Sequence, residues 1–243
     1  MSYDYDAARR AGLFYLAAAV FYIFGMMYVE GRVAGDDATM LRKIAETGGL
    51  YRLGFLGALL GHVCLLATAA ALYELFYPVD AGWARLLVIF VAAGVSIAFL
   101  NRAHQLVVER LAAGAYAGLP EAGGEWISPI FIDLYRDGEK LAGMFWGLWL
   151  LPAGVLVLKS GFAPRALGFV LIAAFAFYEI TFLEYFLLDP PPAALLAPLA
   201  VAHKADTAAK VAAELGFIGW LLAAGFRRRT AGSSRPRSAE GTP

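Results

Sequence analysis

Residues 86–100 read LLVIFVAAGVSIAFL, without one ionisable side chain, and the apolar run resumes at Leu106-Val107-Val108 after the polar group Asn101-Arg102-Ala103-His104-Gln105. A helix rises about 1.5 Å per residue, so roughly 20 mostly apolar residues cross a hydrocarbon core of about 30 Å. Leu86 to Val108 is such a stretch, with a group of polar residues in its last third. Outward from it lie others of the same kind: Ala11 to Val29, Leu53 to Phe76, Leu141 to Leu158, Ala166 to Leu187 and Val211 to Phe226. The expected fold class is therefore all-α, a polytopic transmembrane helical bundle of about six spans. No alternating strands and no Asn-Gly hairpin signals argue for a barrel.

Composition agrees. Of 243 residues 60% are apolar and 16% charged, and mean hydropathy is +0.64. Soluble domains run at about 45–50% apolar and about 25% charged, and a soluble chain this greasy would expose patches that drive association. Twenty basic residues balance twenty acidic ones, so no general field attracts nucleic acid. Cys64 is the single cysteine, which excludes an internal disulfide and a cysteine-rich metal site.

One six-helix transmembrane domain is expected over residues 1–226, followed by a basic, Ser/Gly/Pro-rich cytoplasmic tail, residues 227–243, expected to be disordered. Tight turns separate spans two and three (Tyr77 to Gly82) and spans four and five (Lys159 to Arg165). The longer connections are Glu30 to Tyr51, with an amphipathic helix near Thr39 to Glu46, Ala112 to Glu139, rich in Gly and acids, and Asp189 to Lys210, where helix is expected to resume after Pro198. Arg9, Arg10, Arg85, Lys159, Arg165 and Arg227 to Arg229 sit in short segments with few acids, which predicts that both termini are cytoplasmic in a multi-pass protein of a bacterial inner membrane. The first apolar run is too long for a signal-peptide core and reads as an uncleaved helix.

Several short motifs occur in order. Residues 10–16 (RAGLFYL) open the first span, residues 50–54 (LYRLG) open the second and residues 72–79 (LYELFYPV) close it; residues 145–148 (FWGL) lie in the fourth, followed by residues 159–168 (KSGFAPRALG). The ordered set resembles the bacterial multi-span membrane family catalogued as domain of unknown function 4386. The resemblance implies a polytopic membrane protein and carries no catalytic residues with it. Pro152 departs from the Leu/Gly-rich continuation expected in the fourth span, and the last connection and sixth span match loosely.

Ionisable groups inside hydrocarbon are costly and therefore mark functional candidates. Here they gather toward the outer third. Asn101, His104 and Gln105 share a face of the third span, with Arg102 and Glu109 on an adjacent one. Glu179 and Glu184 on the fifth are about 140° apart round the helix, and His203, Asp206, Lys210 and Glu214 form one stripe on the sixth. An outward-opening pocket lined by these residues would bind a lipid or small amphiphile. The alternative is an intramembrane enzyme, with His104, Glu179 and His203 as candidate metal ligands because imidazole and carboxylate suit zinc or iron; a small-solute transporter ranks third. The bland reading is that these charges are ion pairs fixing helices together, and that His62 is a packed histidine bonded to a backbone carbonyl. No HExxH, GxSxG, P-loop or dinucleotide motif is present, and the sequence does not identify a cofactor. Gly57 with Gly61, and Gly143 with Gly147, are spaced for close helix contact, within the subunit or in a homo-oligomer.

Overall fold

The computed structural model describes residues 4–116, 121–188 and 192–226, with the side chains of residues 121–126, 197, 201 and 205 left aside; the expected tail, residues 227–243, and Pro190 and Pro191 lie outside the described residues. Every regular element among the described residues is a helix. Helix α1 is Tyr5–Tyr22 and runs on as a π-helix, Ile23–Glu30, into the single turn α2, Gly31–Val33. Then come α3 (Asp37–Thr47), α4 (Gly49–Phe76), α5 (Ala81–Ala112), α6 (Glu121–Leu148), α7 (Leu150–Ser160), α8 (Arg165–Leu188) and α9 (Leu196–Phe226), the last preceded by a 3-10 turn at Ala193–Leu195. Six helical stretches are long and apolar enough to cross a membrane: Tyr5–Val33, Gly49–Phe76, Ala81–Ala112, Ile127–Ser160, Arg165–Leu188 and Ala193–Phe226. The protein is a multi-pass integral membrane protein.

Successive spans alternate in direction. One end of the bundle, the near end, therefore holds Tyr5, Phe226 and the turns joining α4 to α5 and α7 to α8; the far end holds α2, α3 and the longer connections. Asp4 caps α1 by accepting from the N–H groups of Asp6 and Ala7, as expected of a short acidic side chain at an orphaned helix start. Asp80 caps α5 in the same way through Gly82 and Trp83, and also pairs with Lys159 at 2.6 Å, tying one near-end turn to the other. The Lys159 ammonium, followed by the Trp83 N–H, holds the Asp80 carboxyl below its ordinary range. That small contribution is present at neutral pH and fades as acid protonates Asp80 through its lowered pKa. Gly161 ends α7 at φ +70°, a left-handed cap that glycine adopts without a Cβ penalty.

The core is built from small and branched apolar side chains. Ala7, Ala8, Ala11 and Ala18 of α1 are fully buried against Leu72, Phe76, Leu87, Leu156, Phe217 and Leu221. A second, far-end cluster joins Val29, Val33, Ile44, Tyr51, Val108 and Ile132, and seats α3 on the bundle. Outside, Ile89, Leu100, Phe169, Leu183 and Leu187 are exposed, the pattern lipid solvates.

Three boundaries differ from the sequence expectation. The segment from Ala112 to Glu139, read as a loop, contains the first two thirds of α6, with Pro129 inside it. Its Gly, Pro and acids disfavour helix locally, but Ile132, Tyr135 and Ala142 are buried and pack the helix down, and tertiary burial overrides propensity. The fourth span is broken at Trp149, three residues before Pro152, whose ring lacks an N–H and clashes with the preceding turn. Helix α9 starts at Leu196, before Pro198, which lies in its first turn where a missing N–H costs nothing.

The glycines divide by use. Gly57 lies under the Phe24 ring, Gly61 under Tyr22, and Gly147 against Tyr178 and Glu179, all within the subunit, whereas a Cβ on Gly143 meets nothing within 4 Å. At Gly25 the first two spans approach backbone to backbone: a Cβ there would stand 2.6 Å from the Gly54 carbonyl oxygen and 2.9 Å from the Ala58 nitrogen. Gly25→Val is expected to destabilise by about 1–3 kcal/mol, the range for overpacking a close contact, while Gly143→Val leaves stability near wild type. Thermal unfolding of both variants in the same detergent checks this; equal melting temperatures would refute the assignment.

Candidate functional site

The polar residues of the far half separate into two clusters. The first surrounds Arg102, a side chain only 1% exposed although it projects from the far third of an apolar span. Its Nη1 donates to Glu30 Oε1 at 2.6 Å, Gln105 Oε1 at 2.7 Å and the Tyr135 hydroxyl at 2.7 Å, and Nη2 lies 3.7 Å from Glu139 Oε1. The Tyr135 hydroxyl donates onward to Glu30 Oε2 at 3.0 Å, and the guanidinium carbon stands 5.4 Å from the Tyr135 ring centre. Asn101 donates to the Tyr135 carbonyl and to Glu139 Oε1, and accepts from His104 Nδ1 at 3.1 Å. A guanidinium offers several fixed donors, and burying it is tolerable only when acceptors meet them. Glu30 from the π-helix, Tyr135 from α6 and Gln105 from α5 meet Nη1, with Glu139 of α6 as a nearby counter-charge, so the network joins three spans; Nε and Nη2 have no hydrogen-bond partner among the described residues.

The π-helix is the local device that presents Glu30. A run of π geometry is rare and concentrates at functional sites; here it spans Ile23–Glu30 and ends on the residue that meets Arg102. Sequence reading placed Glu30 at the start of a loop and Tyr135 in the interfacial belt. The signal that pointed to them was Arg102 itself, since a cation at that depth demands a carboxylate from a neighbouring span. Glu109, two turns beyond Arg102, pairs instead with Arg52 of α4 at 2.6 Å, near the surface.

The second cluster lies on α8 and α9. His203 Nε2 is 2.8 Å from Glu184 Oε2 at the exposed far end. Lys210 is held by both Asp206 oxygens, at 2.7 and 2.9 Å, and its ammonium stands 3.8 Å over the Tyr178 ring. The Tyr178 hydroxyl donates to Glu214 Oε1 at 3.3 Å. Glu179 points elsewhere, with Oε1 buried against Gly147 and no hydrogen-bond partner among the described residues. His104, Glu179 and His203 are thus on separate contacts, and among the described residues no group of three or more His, Cys, Asp or Glu side chains could hold a metal ion.

Between the two clusters opens a cleft of about 230 Å³, lined by Glu139, Lys140 and Gly143 of α6, Tyr178, Thr181 and Phe182 of α8, and Lys210 of α9. Glu139 belongs to both the cleft wall and the Arg102 network, so the clusters meet there. Lys140 lies 5.2 Å from the Tyr185 ring centre, and Tyr185 in turn donates to Asp137. Nearer the middle of the bundle is a second cavity of about 260 Å³, with Tyr178 common to both. His62 lines it and donates from Nδ1 to the Ala58 carbonyl at 2.7 Å, packed against Tyr22 and Trp146.

Residues 10–225 match the sequence model of the family described as "Domain of unknown function (DUF4386)", and the chain belongs to that family. No curated protein and no solved structure matches it.

Removing one side of the Arg102 pair leaves the other charge buried without a partner, a change that typically costs about 3–5 kcal/mol. Arg102→Ala and Glu30→Ala are each expected to destabilise strongly, and the double variant by less than their sum. A double-mutant cycle in detergent unfolding reads this directly; strict additivity would show that the two residues do not act as a pair.

Proposed function

We propose that this member of the DUF4386 family binds a lipid or small amphiphile in the cleft between α6, α8 and α9. The observation that carries the reading is the combination of two ammonium groups, Lys140 and Lys210, with an apolar floor at Gly143 and Phe182, at the depth where a span passes from hydrocarbon to headgroups. A headgroup bearing an acidic oxygen suits the two lysines, with the Thr181 hydroxyl as a further polar partner. The acyl portion would lie along Phe182, beside the exposed faces of Leu183 and Leu187. Pairing Lys210 with Asp206, and Lys140 with the Tyr185 ring, keeps both ammoniums in place without a ligand, so binding needs little reordering of flexible side chains.

The distribution of basic residues supports a bacterial inner membrane with the near end in the cytoplasm: Arg9, Arg10, Arg85, Lys159 and Arg165 border the spans at that end. The cleft then opens in the outer leaflet.

Native mass spectrometry of the protein released from its own membrane tests the binding reading. A co-purifying amphiphile is expected in wild type and lost in Lys140→Ala; a bare protein at the chain mass, or unchanged retention in the variant, would sink it. For orientation, a fluorescent protein fused after the last residue is expected to fluoresce in cells, because green fluorescent protein matures only where it can fold before export. A dark but full-length, membrane-inserted fusion would reverse the assigned topology.

A further inference from the structure

The cavity at the middle of the bundle has a chemistry of its own, independent of the cleft. Its walls come from Tyr15 and Tyr22 of α1, Trp146 and Trp149 at the break between α6 and α7, and Tyr178 of α8. Tyr15 meets Trp149 edge to face with ring centres 5.8 Å apart, and Tyr22 meets His62 edge to face at 5.1 Å, so the rings stand as facets round one space. Into it projects one acidic group, Glu214 of α9.

Glu214 lies twelve residues before the end of α9, about 18 Å along the axis and so deep in the hydrocarbon. The Tyr178 hydroxyl, at a long 3.3 Å, is its hydrogen-bond partner among the described residues. The nearest cation in sequence, Lys210 one turn earlier, is committed to both oxygens of Asp206. Tyr15, 3% exposed, and Tyr22 line the space with their rings, and their hydroxyls are buried with no hydrogen-bond partner among the described residues. His62 presents an imidazole whose Nδ1 proton is already donated to Ala58, leaving Nε2 with its lone pair in the neutral ring.

A deep carboxylate needs a counter-charge, and the faces of Trp and Tyr rings attract cations, most strongly when water is excluded; rings arranged as a cage are how proteins hold quaternary ammonium groups. We infer that the central cavity binds an organic cation, a quaternary or tertiary alkylammonium, held between the aromatic rings and the Glu214 carboxylate. Entry is from the side, through the lipid: Met26 and Met27 of the π-helix form part of the wall, Met27 is 72% exposed on the outer surface of the bundle, and unbranched thioether side chains yield readily to a passing group.

The test uses choline and its uncharged isostere 3,3-dimethylbutan-1-ol, which differ in a single atom, nitrogen against carbon. Each is titrated against the full chain in an uncharged detergent at constant ionic strength, with tryptophan fluorescence as the signal, since Trp146 and Trp149 line the cavity. Choline is expected to give a saturable change at a concentration at least tenfold below that needed with the neutral alcohol. Glu214→Gln should abolish the preference, while Lys140→Ala, which alters only the cleft, should retain it. Equal responses to the two compounds in wild type, no saturable response to choline, or a preference that survives Glu214→Gln in folded protein would each overturn the inference. The wild-type comparison decides even if the Glu214 variant fails to fold, and the Lys140 variant separates failure here from failure of the cleft reading.

Discussion

The far half of the bundle is organised by a single buried guanidinium. Arg102 sits on an apolar span at a depth where an unpaired cation would be expelled, and it is retained because Glu30, Gln105, Tyr135 and Glu139 converge on it. Three spans must therefore hold a fixed axial register. If α6 slid by one residue along α5, Tyr135 and Glu139 would lose the guanidinium together, and Asn101 would lose the Tyr135 carbonyl. Apolar packing in lipid gives no such register, since lipid tails are as good a solvent for leucine as another helix is. The network supplies specificity where the hydrophobic effect supplies none. It also fixes Glu139, and with it one wall of the cleft.

At the near end the same problem has a different solution. There the helices carry almost no polar groups, and close approach through small residues does the aligning: Gly12 against Leu222, Gly225 against the Arg9 backbone, Gly154 against the Gly168 carbonyl. Contacts of this kind gain from dispersion only when surfaces match. The Arg10–Glu74 and Lys159–Asp80 pairs sit at the rim, exposed and worth little in stability, but they orient the turns. Between these two regimes lie the break at Trp149 and the π-helix at Ile23–Glu30. Both are departures from ideal helix inside spans, and both border the central cavity.

The spans were legible in the sequence because the bilayer imposes a simple demand, a length of apolar chain that local composition reveals. Turn residues at Tyr77 to Gly82 and at Lys159 to Arg165 were equally plain. The first two thirds of α6 was not, because its Gly, Pro129 and acids read as loop, and only burial of Ile132 and Tyr135 against α5 makes it helix. The candidate residues show the same division. Sequence spacing put Asp206, Lys210 and Glu214 on one stripe, and the structure joins them through Tyr178. That Arg102 would find Glu30, and that Glu184 would take His203 while Glu179 turned toward Gly147, depends on which spans are neighbours. No helical period encodes that.

Tyr178 shows how the two polar spaces are related. Lys210 covers its ring on the side of the cleft, while its hydroxyl reaches Glu214 in the cavity. One side chain thus forms a partition whose two ends carry charges of opposite sign. A ligand drawing Lys210 outward would remove the cation from the ring and free the Tyr178 side chain to tilt, changing the one hydrogen bond that Glu214 accepts. If the cleft and the cavity each bind as proposed, their occupancies would be linked through this shared residue, and the linkage would be reciprocal.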